Sequence, residues 1–247
     1  MNDPAESGYE NNQGLAFLPH RLIKRIAWAG TAAMILGGMS VVLARHFFGL
    51  DIKAGQLFKL NMENNLPTWF SSTGLLACAV LLMVISIIKR KEGERWWIHW
   101  AVLAVLFTLL SIDEAASLHE KFFSPLRRSL GLTGILWYAW VIPGMIFVAA
   151  FVAAFARFLL HLPRPLAIRF IVSGAIYVSG ALLMEMAGGY YRYNYGRETL
   201  TYGMLAAIEE TLELIGMTLY LTSLVDYLTL RRGGLAIAFR SQKPDQT

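Results

Sequence analysis

Six stretches of the chain are apolar over roughly the 20 residues a helix needs to cross a hydrocarbon core about 30 Å thick. They cover residues 26–47, 70–88, 97–118, 136–160, 168–190 and 201–228. Short polar segments separate them. The segment KRKEGER ends the second stretch sharply, and the two prolines of HLPRP help to stop the fourth. The pattern predicts an all-α polytopic membrane bundle of about six transmembrane helices. Residues 1–20 read as a polar N-terminal tail, 21–230 as the transmembrane domain and 231–247 as a basic C-terminal tail.

Composition agrees with this reading. Of 247 residues, 56% are hydrophobic and only 16% charged, too few charges to clothe a soluble domain of this length. The polar N-terminus has no basic n-region, and the first apolar stretch is too long for a signal-peptide core. It reads as an uncleaved anchor. A single cysteine, Cys78, excludes an intrachain disulfide.

The net charge of +5 changes the picture only through its distribution. Arg21, Lys24 and Arg25, then Lys89, Arg90, Lys91 and Arg95, then Arg157, Arg164 and Arg169, then Arg231, Arg232 and Arg240 fall at alternate connections. By the positive-inside rule these mark the cytoplasmic side, so both termini are expected in the cytoplasm of a cell with this protein in its inner membrane. Topology accounts for the basic residues, and no nucleic-acid partner is expected. The opposite segments, 49–69, 119–134 and 191–200, read as loops flanked by interfacial aromatics such as Trp69, Trp137 and Tyr190.

Charged groups within spans cost about 2.5–3.5 kcal/mol each at the helix centre even on lenient scales. Three spans carry them. The third ends with Asp113, Glu114, Ser117, His119 and Glu120, of which Asp113, Ser117 and Glu120 share a face if the helix stays regular. The fifth carries Glu185, with Gly174, Ala181, Gly188 and Gly189 near its face to admit a neighbouring helix. The sixth carries Glu209, Glu210 and Glu213; the first two point 100° apart, so spacing leaves open which faces inward. At 1.5 Å per residue, Asp113 lies about 24 Å from the cytoplasmic start of its span. Glu209 and Glu213 lie roughly 12–18 Å from the outer start of theirs. The acids on all three spans therefore share the outer half of the bilayer, which predicts one outward-opening polar cluster.

A carboxylate-rich group with one histidine suits a hard divalent cation, Mg, Mn, Ca or Fe. Glu114, His119, Glu185, Glu210 and Glu213 are the candidate metal ligands. Asp113, Glu114 and His119 are the candidate catalytic groups of a metal-dependent enzyme acting on a lipid or lipid-like substrate that arrives from the bilayer. Two other classes fit the same residues. Intramembrane carboxylates serve as proton relays in proton- or cation-coupled transporters. They also serve in a structural or assembly subunit, paired with arginines such as Arg45, Arg127, Arg128, Arg192 and Arg197, within a homo-oligomer or against another membrane partner.

The segments FTLLSIDEAASLHE and IEETLELIGMTLYLTSL resemble those of uncharacterised bacterial multi-pass inner-membrane proteins, over most of residues 61–227. That resemblance implies a fold and no activity. Glu114, Ser117 and His119 are also similar to the Glu/Ser/His pattern of alkaline-ceramidase-like membrane hydrolases. Those proteins have seven spans and a histidine pair in the last, where this chain offers Glu209, Glu210 and Glu213.

Overall fold

In a computed structural model, residues 20–49, 53–59 and 65–232 are described. The expected terminal tails, with Arg240, lie outside them apart from a residue or two at each boundary. Eight α-helices follow in order: α1 (His20–Phe48), α2 (Leu66–Lys91), α3 (Trp97–Ala116), α4 (Leu118–Leu130), α5 (Val141–His161), α6 (Arg164–Val178), α7 (Glu185–Tyr195) and α8 (Leu200–Arg232). A π-helical segment, Ser179–Met184, joins α6 to α7 in one rod of 32 residues, Arg164–Tyr195. Short 3-10 turns fall at Lys53–Phe58 and Gly134–Leu136.

Five of these rods are long and apolar enough to cross a membrane: α1, α2, α3, α5 and the α6–α7 rod. The sequence pattern expects six. The remaining long helix, α8, has the length at 33 residues, but it carries Glu209, Glu210 and Glu213. Bilayer physics places such a helix where lipid does not touch it. It packs against α1, α2, α6, the π segment and α7, and so occupies the middle of the bundle. The outer faces present bare apolar side chains, among them Leu36, Val105, Ile146 and Leu160, the last 85% exposed. An unbroken coat of this kind suits lipid, not water.

The core divides along the bundle axis. In one half Trp100, Phe158, Phe170, Tyr220 and Leu224 pack around α8. In the other a smaller cluster forms around Leu75, Leu214 and Met217. The two ends are tied by ion pairs. At the end where α2 turns into α3, Lys89 pairs with Glu94, and Lys24 and Arg169 both bind Asp226 at 2.6 and 2.9 Å. At the other end Arg45 meets Glu198 at 2.7 Å. Asn65 caps α2 there, its Oδ1 accepting from the Thr68 backbone N–H at 2.9 Å.

Two features correct the sequence reading. The third span ends at Ala116, because Ser117 adopts a left-handed conformation (φ +48°, ψ +48°) that breaks the helix. Beyond it, the expected loop 119–134 is mostly the amphipathic helix α4, whose exposed Phe122 and Leu130 suit a bilayer interface. The small residues that admit α8 also differ from expectation. A Cβ on Gly216 would stand 2.7 Å from the Tyr177 backbone N, and one on Gly180 would stand 2.8 Å from the Glu209 carbonyl O. Gly174 has nothing within 4 Å, and Gly189 packs on Trp137 and Tyr138.

Candidate functional site

The crossing of the α6–α7 rod with α8 sets the first part of the site. Hydrogen bonds in a π segment span one residue more than in an α-helix, which shifts the rotational phase of the residues that follow. Glu185 comes directly after the segment and is buried, 7% exposed. Its carboxyl is within electrostatic reach of that of Glu209 on α8. Glu210 is within electrostatic reach of Glu114 and Glu185. Glu213 feels Glu114, Glu210, Glu185 and Asp113. Acids from α3, α7 and α8 thus share one region of the bundle, and Glu209 and Glu210 both belong to it.

The kink at Ser117 builds the second part. Once α3 breaks, Asp113 becomes the polar anchor of the next helix. Its Oδ1 accepts from the His119 backbone N–H at 2.8 Å, and its Oδ2 meets His119 Nδ1 at 2.7 Å. A carboxylate accepts only, so Nδ1 carries the hydrogen and Nε2 is the basic nitrogen of the ring. The imidazole also leans on Trp140, with ring centroids 4.7 Å apart. A left-handed conformation at a residue other than glycine costs about 1–3 kcal/mol and gathers at functional sites. Ser117 is the one such residue among those described.

His119 opens onto the third part, a half-open cavity of about 140 Å³ between α4, the segment before α5 and the end of α7. Arg127, Arg192, Arg197, Trp137, Tyr138 and Trp140 share its wall with His119. The Arg127 guanidinium lies over the Trp137 ring at 4.1 Å. Arg192 donates from Nη1 to the Tyr138 hydroxyl at 2.9 Å, and that hydroxyl is 2.9 Å from the hydroxyl of Tyr202 on α8. Burial, then the neighbouring Tyr202 hydroxyl, holds the Tyr138 phenol well above the ordinary tyrosine range.

Comparison with known proteins gives a family. The chain belongs to the family described as Domain of unknown function (DUF8692). The match covers residues 25–227, which include every site residue above. No curated protein and no solved structure matches the chain. These findings are specific to a multi-pass helical membrane protein and add nothing to the ceramidase-like resemblance.

Within this DUF8692 chain, the predicted residues fall into two groups. Glu114, Glu185, Glu210 and Glu213 approach one another along α8, as do Glu209 and Asp113. His119 belongs to the cavity through Asp113 and Trp140. Among the described residues, no three His, Cys, Asp or Glu side chains stand where they hold one metal ion. Sequence reasoning missed Tyr138, Tyr202 and Trp140. It treated Trp137 as an interfacial anchor, and it offered Arg127, Arg192 and Arg197 as partners for the acids rather than as walls of a cavity.

Proposed function

We propose that the protein is a membrane-embedded acid–base enzyme acting on a lipid or lipid-like substrate, with His119 as the base and Asp113 as the residue that positions it. The observation that carries this reading is the Asp113–His119 hydrogen-bonded pair on the wall of the cavity. Nε2 takes a proton from a water or a substrate hydroxyl, and Asp113 fixes the tautomer and stabilises the imidazolium that forms. All six long rods, α8 included, cross the membrane in this reading. The end that carries Lys89, Arg90 and Arg95 faces the cytoplasm, and the cavity faces the outer leaflet of the inner membrane.

The test is turnover in proteoliposomes made from a total polar lipid extract, followed by lipid mass spectrometry. General acid–base groups contribute about 10²–10⁴-fold. A time-dependent product formed by the wild type, lost by at least about 100-fold in His119→Ala and reduced in Asp113→Asn, is expected. Equal product from His119→Ala, or none from the wild type, sinks the reading.

A second reading takes Glu114, Glu185, Glu210 and Glu213 as ligands of a divalent cation, with His119 joining them after a rearrangement. It is favoured by the gathering of four like-charged groups from three helices. Their present arrangement brings no three of them together for one ion, so no step is drawn through a metal.

A further inference from the structure

The cavity is more strongly cationic than an acid–base pair requires. Arg127, Arg192 and Arg197 all line it, and among the described residues none of the three has a carboxylate ion-pair partner. The positive charge of His119, where it is protonated, is already matched by Asp113. Three guanidinium groups without a direct ion-pair partner among the described residues therefore stand around a space of about 140 Å³. Charges held at a membrane edge lose part of their hydration and call for counter-charge.

The walls restrain two of these cations. The Arg127 guanidinium lies on Trp137, and Arg192 is fixed by Tyr138 and leans on the same indole at 5.7 Å. A guanidinium that stacks through its face keeps its edge N–H donors for an anion. Among the described residues the buried indole N–H groups of Trp137 and Trp140 have no hydrogen-bond partner, and both rings belong to the cavity wall. An apolar cavity of about 150 Å³ accommodates benzene, so this space admits a five-atom tetrahedral oxyanion.

We propose that the cavity bounded by Arg127, Arg192 and Arg197 is a binding site for a phosphate group. One carboxylate is matched by one bidentate arginine, whereas a phosphate presents enough oxygens and charge for several. The site adds a recognition element to the cavity of the Asp113–His119 pair and rests on that cavity being the functional one. It binds without turnover, so its failure and that of the acid–base reading are separate results. The phosphate arrives either on a phospholipid headgroup or as a soluble phosphate.

The experiment measures tryptophan fluorescence of the full chain in detergent micelles. One arm titrates phosphatidic acid, with diacylglycerol as the phosphate-free control. The other titrates inorganic phosphate. Saturable binding in either arm is expected, weakened at least 10-fold in Arg127→Gln/Arg197→Gln and unchanged in Arg128→Gln, whose residue does not line the cavity. Arg192→Gln is compared only where its thermal unfolding matches the wild type, because it also loses the bond to Tyr138. Response to phosphatidic acid alone assigns a lipid source, and response to inorganic phosphate admits a soluble one. No saturable binding in either arm, equal affinity in the double variant, or an equal response to diacylglycerol overturns the proposal.

Discussion

Gly216→Ala tests whether the α6–α8 crossing is as tight as the site requires. The new methyl would stand 2.7 Å from the Tyr177 backbone N, 2.8 Å from the Tyr177 Cβ and 2.9 Å from the Ser173 carbonyl O. Carbon contacts are optimal at about 3.5–4.0 Å, so relief needs a movement of about 1 Å. Two of the three atoms are backbone and cannot rotate aside, so the helices themselves must part. Overpacking of this kind costs about 1–3 kcal/mol. Alanine also favours a helix over glycine by about 1 kcal/mol, which hides part of the loss. Gly174→Ala on α6 supplies the control, because nothing lies within 4 Å of it. It is expected to stabilise by up to about 1 kcal/mol. Subtracting one variant from the other cancels the propensity and leaves the contact, so Gly216→Ala falls about 1–3 kcal/mol below Gly174→Ala. The assay is unfolding by SDS in mixed micelles, read by tryptophan fluorescence. Gly180→Ala on the same crossing relieves its clash by the same parting, so the double variant loses less than the sum. Equal stability of Gly216→Ala and Gly174→Ala refutes the close approach, and with it the account of how Glu185 reaches Glu209.

Other changes test other parts of the structure. Ser117→Val forces a β-branched residue into the left-handed region and is expected to lower stability by at least about 1 kcal/mol, whereas Ser117→Gly holds or raises it; thermal shift in detergent separates them. The Tyr138 phenol is held high in the folded chain, so the folded state keeps a proton that the unfolded state releases above about pH 10. That stability is present below pH 10 and is lost as pH rises further. Tyr138→Phe should therefore flatten the alkaline fall in stability between pH 9 and 11, and an unchanged slope counts against the burial of this phenol. Lys89→Met leaves Glu94 without its buried ammonium partner, and since Glu94 keeps about a quarter of its exposure the loss should lie near the lower end of the 3–5 kcal/mol typical of broken buried pairs. Elemental mass spectrometry of protein purified without chelators decides the cation reading: near-stoichiometric metal that disappears in a folded Glu185→Ala/Glu213→Ala variant supports it, and no metal after reconstitution ends it.

The membrane class and the position of each long helix were legible because apolar length is a one-dimensional property. The shared height of the acids along the bundle was legible for a similar reason. Antiparallel rods of known rise turn residue numbers into heights, and Glu185 and Glu209 meet although they belong to different rods. The Asp113–His119 pair was not legible. Six residues on a regular helix turn through 600°, which leaves the two side chains about 120° apart. They meet only because Ser117 is left-handed, and a serine between alanine and leucine gives no sign of that. The α4 helix did leave a signal, since LHEKFFSPLRRSL alternates apolar and basic residues at helical spacing, but its charge made it read as a loop. The cavity left none. Arg127 and Arg192 are 65 positions apart, and only the packing of α7 against the turn before α5 brings both to Trp137.

The position of α8 links the fold to the direction of access. Its three glutamates make it the long helix least suited to lipid, and three neighbouring rods, α1, α2 and the α6–α7 rod, pack against it. Enclosure alone would permit carboxylates along its whole length, yet none falls between Glu213 and Asp226. Toward Asp226 the helix buries Thr218, Thr222 and Ser223. Thr222 and Ser223 spend their hydroxyls on carbonyls of their own helix, and Thr218 bonds Thr31 of α1 at 2.6 Å. Trp100, Phe170 and Tyr220 fill the space beside them. That half offers few acceptors to a proton or an ion. The carboxylates begin beyond it, and Tyr202 and Asp113 connect their region to the cavity through Tyr138 and His119. Polar contact with the acids therefore comes from the cavity end, while the aromatic half seals the other. A carrier would have to open that aromatic half during its cycle. An enzyme needs only the one entrance, which is why the sealed half favours the acid–base reading over transport.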